Sequence, residues 1–150
     1  MLGLGVAGLA VGAWLGDGSL HRSDFTQSTK PSHPDGASDM DCLRAELTAA
    51  GYEPSEEYGY TIHVPEATLK RHLDEAGVLD YKHIPMRYLR ASKAQRLALL
   101  QGLMDTDGTI GEDGGSMLGL SDRRLAEDAL ALIRSLGIKA TARWNGKKNY

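Results

Sequence analysis

Cysteine is all but missing from this 150-residue chain, with Cys42 the single thiol. No internal disulfide can form and no thiolate cluster exists to hold zinc, so a reducing cytoplasm is the expected setting and oxygen the main donor for any metal. A long apolar run is missing too. The longest, Leu2 to Leu15, has no basic start and falls short of the ~20 residues a membrane span requires, so it reads as a buried helix and no membrane partner is expected. The histidines, His21, His33, His63, His72 and His83, show no metal-ligand spacing. Gly3-Leu4-Gly5-Val6-Ala7-Gly8 matches the dinucleotide pattern G-x-G-x-x-G, but only Met1 and Leu2 precede it. With no strand to build the turn, a nucleotide-dependent oxidoreductase is disfavoured.

A basic excess is also lacking. The formal net charge is −3, which argues against a nucleic-acid binder driven by overall electrostatics. Distribution qualifies that reading. The segment Tyr81 to Leu99 holds Lys82, Arg87, Arg90, Lys93 and Arg96 without a carboxylate, and Arg134 to Tyr150 holds Arg134, Lys139, Arg143, Lys147 and Lys148, again without one. Two basic segments can form a phosphate-binding patch on an acidic protein.

What the sequence does contain is an approximate internal repeat inside a length suited to one domain. Trp14-Leu15-Gly16-Asp17-Gly18-Ser19 returns as Leu103-Met104-Asp105-Thr106-Asp107-Gly108-Thr109, each at the end of an apolar helix. A hairpin is expected after each, over Ser19 to Ser28 and over Thr109 to Leu120 around Asp113-Gly114-Gly115. An amphipathic helix follows in both copies: about Asp39 to Ala50, with Asp39 as N-cap and Gly51 as stop, and about Asp122 to Leu136, stopped by Gly137. Alternating strands come next, Tyr60 to Val64 and Ile138 to Trp144, the second placing Lys139, Thr141 and Arg143 on one face. A helix opened by Pro65, carrying Leu69, Leu73 and Ala76 and stopped by Gly77, closes the first copy. The second copy, by analogy, lacks its last strand and helix. The expected organisation is one domain, 1–150, of two halves, about 1–78 and 92–150, joined by a linker over 79–91.

Gly8, Gly12 and Gly16 share one helix face, and Ala98, Gly102 and Thr106 share another. Each interior helix glycine costs ~1 kcal/mol against alanine, so the stripe needs a close backbone contact to offset it. If the two helices run parallel, Asp17 and Asp107 stand side by side at C-terminal ends already negative from unpaired carbonyls. A divalent cation, magnesium by its preference for few hard oxygen ligands, would relieve that repulsion, with Asp17, Asp107 and the carbonyls of Gly16 and Thr106 as candidate ligands. Ser92 and Gln95 have capping-box spacing at the start of the second helix.

Leu100-Gln101-Gly102-Leu103-Met104-Asp105-Thr106-Asp107-Gly108 resembles the nine-residue signature of the LAGLIDADG homing endonucleases, and Ala10-Val11-Gly12-Ala13-Trp14-Leu15-Gly16-Asp17-Gly18 is a looser copy with Leu15 where the signature's first aspartate stands. Lys82-His83-Ile84-Pro85 is similar to the Lys-x-Ile-Pro element before the second motif in intein-associated, DOD-type enzymes. The resemblance implies an α+β fold, an αββαββα repeat around a pseudo-two-fold axis with glycine-faced helices at its centre and saddle-shaped antiparallel sheets on double-stranded DNA. It implies Asp17 and Asp107 as catalytic metal ligands, Asp105 as the structural aspartate, and Lys82 as a catalytic lysine. Arg22, Lys30, Arg87, Lys139, Thr141 and Arg143 are the expected DNA contacts. The expected function is a site-specific, magnesium-dependent double-strand endonuclease, a monomer forming an internal pseudo-dimer within a longer intein-containing precursor. Self-splicing is not expected, since Met1 stands where an intein has Cys or Ser and Asn149-Tyr150 is not a His-Asn pair. The alternative is a LAGLIDADG-derived DNA- or RNA-binding module, or an inactive remnant.

Overall fold

The computed structural model describes residues 4–18, 24–58, 61–64 and 69–145. At its centre lies α1 (Leu4–Asp17), a helix apolar on all sides, which is why Ala10, Val11, Ala13, Trp14 and Leu15 are all fully buried. Packed along it is α5 (Lys93–Asp107), begun by Ser92, whose side chain accepts from Gln95 N while Gln95 returns a bond to the cap. The capping box is thus as the spacing predicts.

The two helices approach at backbone distance. A Cβ on Gly12 would lie 2.2 Å from the Leu99 carbonyl oxygen, and one on Gly102 would lie 2.2 Å from that of Leu9. Moving along α1 from Gly8 to Gly12 to Gly16, the nearest α5 residues advance from Gln95 and Ala98 to Leu99 and Gly102 and then to Thr106. The helices therefore run parallel and end together.

Around this pair the fold is α+β, helices with two small antiparallel sheets. β1 (Asp24–Thr26), β2 (Ser55–Tyr58) and β3 (Thr61–His63) form one sheet in the order β1-β3-β2, with Phe25 opposite Ile62 and both buried. Asp24 lies opposite His63, and their side chains hydrogen-bond. β4 (Gly108–Ile110) and β5 (Ser116–Leu118) form the expected hairpin, turned at Gly114 with φ +78. Residues 19–23 of the first expected hairpin lie outside the described residues, although Gly18 bridges to Phe25. α2 (Asp39–Ala49), α3 (Leu69–Ala76), the single turn α4 (Met86–Leu89) and α6 (Arg123–Ser135) pack outside the central pair. Gly51, Gly77 and Gly137 take positive φ after α2, α3 and α6, ending each helix where expected. Pro65 lies outside the described residues. Among those described, no helix is long and apolar enough to cross a membrane.

Two expectations need correction. Ser38, not Asp39, caps α2, because its hydroxyl accepts from Asp41 N while the Asp41 carboxylate accepts from Ser38 N, two backbone donors satisfied at once. The segment Ile138 to Trp144 is not a strand, and Lys139, Thr141 and Arg143 sit exposed on irregular backbone. A strand needs a ladder partner, and among the described residues β4 and β5 pair with each other alone. The segment is held instead by Arg134, which donates to the Ala140 carbonyl at 3.2 Å, and by Arg123 against the Trp144 ring at 4.9 Å. Finally, β2 and α4 went unanticipated, since Ser55-Glu56-Glu57-Tyr58 lacks apolar alternation and α4 is one turn long.

Graded alanine substitutions test the helix contact. Gly12→Ala and Gly102→Ala should each destabilise the fold by about 1–3 kcal/mol through overpacking. Gly8→Ala, whose Cβ would sit 3.4 Å from the Gln95 oxygen, should be neutral or gain up to ~1 kcal/mol from helix propensity. Urea denaturation of the three variants measures the order, and equal effects at Gly8 and Gly12 would rule out the close approach.

Candidate active site

The shared end of α1 and α5 gathers unpaired helix carbonyls from both chains of hydrogen bonds, a concentration of negative partial charge. A Cβ on Gly16 would lie 1.9 Å from Thr106 Oγ1 and 3.1 Å from Asp107 Oδ2. The Asp107 carboxylate therefore hangs over the last turn of α1, one residue before Asp17. Asp17 is the terminal residue of that helix, and its side chain lies outside the described atoms.

Glycine follows each terminal acid for reasons of space. A Cβ on Gly18 would lie 2.1 Å from Trp14 Cδ1, and one on Gly108 would lie 2.3 Å from the Met104 carbonyl oxygen. Gly108 has φ −83, open to any residue, so the turn does not itself require glycine there. The close fit against Trp14 matters because that indole is also the floor for Lys82. The Lys82 ammonium sits 5.3 Å from the Trp14 ring centroid and donates to the Gly16 carbonyl at 3.4 Å. A lysine 66 residues further along the chain thus reaches the end of α1.

The structure accordingly brings Gly16, Lys82, Thr106 and Asp107 together, with the backbone of Asp17 beside them. Thr106 turns its hydroxyl back to the carbonyls of Gly102 and Leu103, at 3.1 and 3.2 Å. Its own carbonyl accepts from Gln27 Nε2 at 3.4 Å. Gln27 is a neighbour that no sequence pattern singles out. The oxygens present suit a hard divalent ion. Among the described residues no group of three or more His, Cys, Asp or Glu assembles, so such an ion would rest on the terminal acids and the helix-end carbonyls, the sparse protein shell magnesium accepts. His83 is engaged elsewhere, stacked on Tyr81 with centroids 4.3 Å apart.

The candidate DNA contacts sit on separate segments. Lys30 is exposed after β1, Arg87 is exposed on α4 with its guanidinium 5.4 Å from the Tyr88 ring, and Arg22 lies outside the described residues. Lys139, Thr141 and Arg143 project from the irregular stretch after α6. Arg96, part of the first basic segment, bonds the Ser135 carbonyl and hydroxyl at 2.9 and 2.8 Å, so it ties α5 to α6.

One half-buried acid was invisible to motif reasoning. Glu46 on α2 lies between the core residues Leu43 and Leu47 and faces Asp105. Its Oε2 is sealed from solvent with no donor to meet it. Burial first, then the hydrogen bond to Asp105 and that group's negative charge, push the Glu46 carboxyl from an ordinary 4.5 up to about 8. Glu46 is therefore held in its neutral form at neutral pH, since two carboxylates would repel. An acid on the apolar stripe of α2 was the available signal.

Residues 94–150 match the family model of a LAGLIDADG-like domain. Over those residues the chain carries a LAGLIDADG-like domain. Thr106 and Asp107 fall inside the matched LAGLIDADG stretch, whereas Asp17 and Lys82 precede it. Over 129 residues, 86% of its length, the chain is also 36% identical to a replicative DNA helicase DnaB from Mycobacterium intracellulare. It spans 19% of that relative, about a fifth of its length.

The Glu46 proton gives a pH dependence with a definite sign. Because the folded-state pKa is raised, the stabilisation is complete below about 4.5 and is lost as pH rises through about 8. Urea midpoints at pH 5, 7 and 9 should fall with pH in the natural chain and fall less in Glu46→Leu. Parallel declines in the two proteins would show that Glu46 is not the titrating group.

Proposed function

We propose that this chain is a site-specific double-strand DNA endonuclease of the DOD type, the endonuclease part of an intein, with Asp17 and Asp107 as its catalytic acids. The observation that carries the reading is the parallel packing of α1 and α5, which ends both helices at one place with the Asp107 carboxylate and the Lys82 ammonium beside Gly16. A pseudo-two-fold LAGLIDADG architecture accounts for the repeat, with halves of about 1–78 and 92–150 acting as an internal dimer in a monomer. The match to a stretch of a much longer helicase supports an insert within a host protein.

Magnesium bound at the helix ends would lower the pKa of water and offset charge on the leaving oxygen. The chain's own residues do the rest. Asp17 and Asp107 would hold that cation through the negative charge of their carboxylates. Lys82 presents a fixed positive charge towards the attacked phosphate, held by the Gly16 carbonyl and the Trp14 face. Arg22, Lys30, Arg87, Lys139, Thr141 and Arg143 contact the DNA backbone on either side. A second reading is a LAGLIDADG-derived module that binds without cutting; the net charge of −3 and the internal use of Arg96 weigh against tight DNA binding in either reading.

Cleavage of a plasmid bearing the uninterrupted host-gene sequence separates the two. With magnesium the natural chain should nick and linearise it, while Asp17→Asn and Asp107→Asn should each lower the rate by about a hundredfold or more, as loss of a major electrostatic group does. Band shifts in calcium should persist for both variants. Undiminished cleavage in both removes the assigned site, and binding without cleavage by the natural chain establishes the second reading.

A further inference from the structure

Lys82 belongs to no helix or strand, and its place depends on whatever holds its loop. The irregular segment 82–85 runs into Pro85, which keeps Ile84 in the extended region. In extended chain alternate side chains share a side. Tyr81 and His83 accordingly stack on each other at 4.3 Å, while Lys82 reaches Gly16 and Ile84 is buried. The backbone of this segment is tied to the body of the protein where the Ile84 N–H donates to Asp128 Oδ2 on α6 at 3.0 Å, across 44 residues.

We propose that Asp128 is a positioning residue that sets where Lys82 presents its ammonium, by gripping the backbone of the Lys82 loop. The role given to Lys82 rests on the endonuclease reading, whereas the grip itself does not. Asp128 is built for this. Its side chain is only 14% exposed, and Arg124, one turn earlier, approaches both carboxylate oxygens at 3.3 and 3.2 Å. A bond from a backbone N–H to a carboxylate is roughly twice as strong as a neutral one, and partial burial preserves that strength. The simpler account, that Asp128 merely completes an i,i+4 ion pair, makes the Ile84 contact incidental, and such exposed pairs stabilise little. Arg124 is 60% exposed, so it balances the charge of Asp128 without fixing the loop. Because displacement of a catalytic group by about 1 Å can cost about a hundredfold in rate, a slack loop would show in catalysis.

Three variants of the whole chain distinguish the accounts, each read by amide exchange at Ile84, amine-reagent modification of Lys82 and plasmid cleavage. Asp128→Ala should speed Ile84 exchange and change Lys82 labelling several-fold, and should lower kcat about tenfold with DNA affinity unchanged. Asp128→Asn keeps one acceptor oxygen, so it should rescue most of kcat and raise Ile84 exchange only partly. Arg124→Gln should leave all three near the natural values. If Asp128→Ala does not fold, the order of Ile84 exchange, Asp128→Asn faster than Arg124→Gln, still decides the matter. Equal effects of Arg124→Gln and the Asp128 variants, or unchanged exchange and labelling in them, would overturn the proposal. A natural chain that does not cleave would instead sink the endonuclease reading, leaving the exchange and labelling results to judge the grip.

Discussion

Backbone contact between α1 and α5 is the constraint on which everything else depends. Gly12 and Gly102 interlock at distances no side chain permits, 2.2 Å from a hypothetical Cβ to a neighbouring carbonyl in each direction. Ordinary helix packing, with axes 8–10 Å apart, would leave the ends of these helices separated by a layer of side chains. Here the layer is absent. The two terminal carbonyl clusters meet, and the Asp107 carboxylate lies 3.1 Å from where a Cβ on Gly16 would stand, beside the backbone of Asp17.

That closeness concentrates negative charge, and much of the surrounding structure answers it. Lys82 reaches in over Trp14 to the Gly16 carbonyl, Gln27 donates to the Thr106 carbonyl, and the Thr106 hydroxyl folds back on its own helix. Each contact comes from a different part of the chain. The candidate site is therefore assembled by tertiary packing, although Asp17 and Asp107 are written at the ends of a repeated motif.

The two signature copies are not equivalent in their electrostatics. Asp105 in the second copy meets a protonated Glu46, whereas Leu15, at the corresponding place in the first, is fully buried among apolar neighbours. Glu46, kept neutral by burial and by the nearby Asp105, sets a polar contact between α2 and α5 where apolar packing suffices at Leu15. The acidic balance of the chain is partly hidden in this way, since Glu46 carries its proton at neutral pH.

Much was legible in the residues themselves. Apolar periodicity, the Ser92 capping box and the stops at Gly51, Gly77 and Gly137 depend on local backbone geometry, so the sequence by itself determined α1, α5, α6 and most of α2. The small-residue stripes likewise fixed which helix faces meet, because only a close contact offsets helix glycines. Strands were less legible. The residues Ile138 to Trp144 alternate without forming one, and β2 pairs without alternating, since a ladder is decided by the partner available and not by the segment. Tertiary structure alone decided the parallel direction of the helices, the reach of Lys82 and the contacts of Gln27, Glu46 and Asp128. These join residues tens of positions apart, and their geometry follows from how the core closes, which no local pattern encodes.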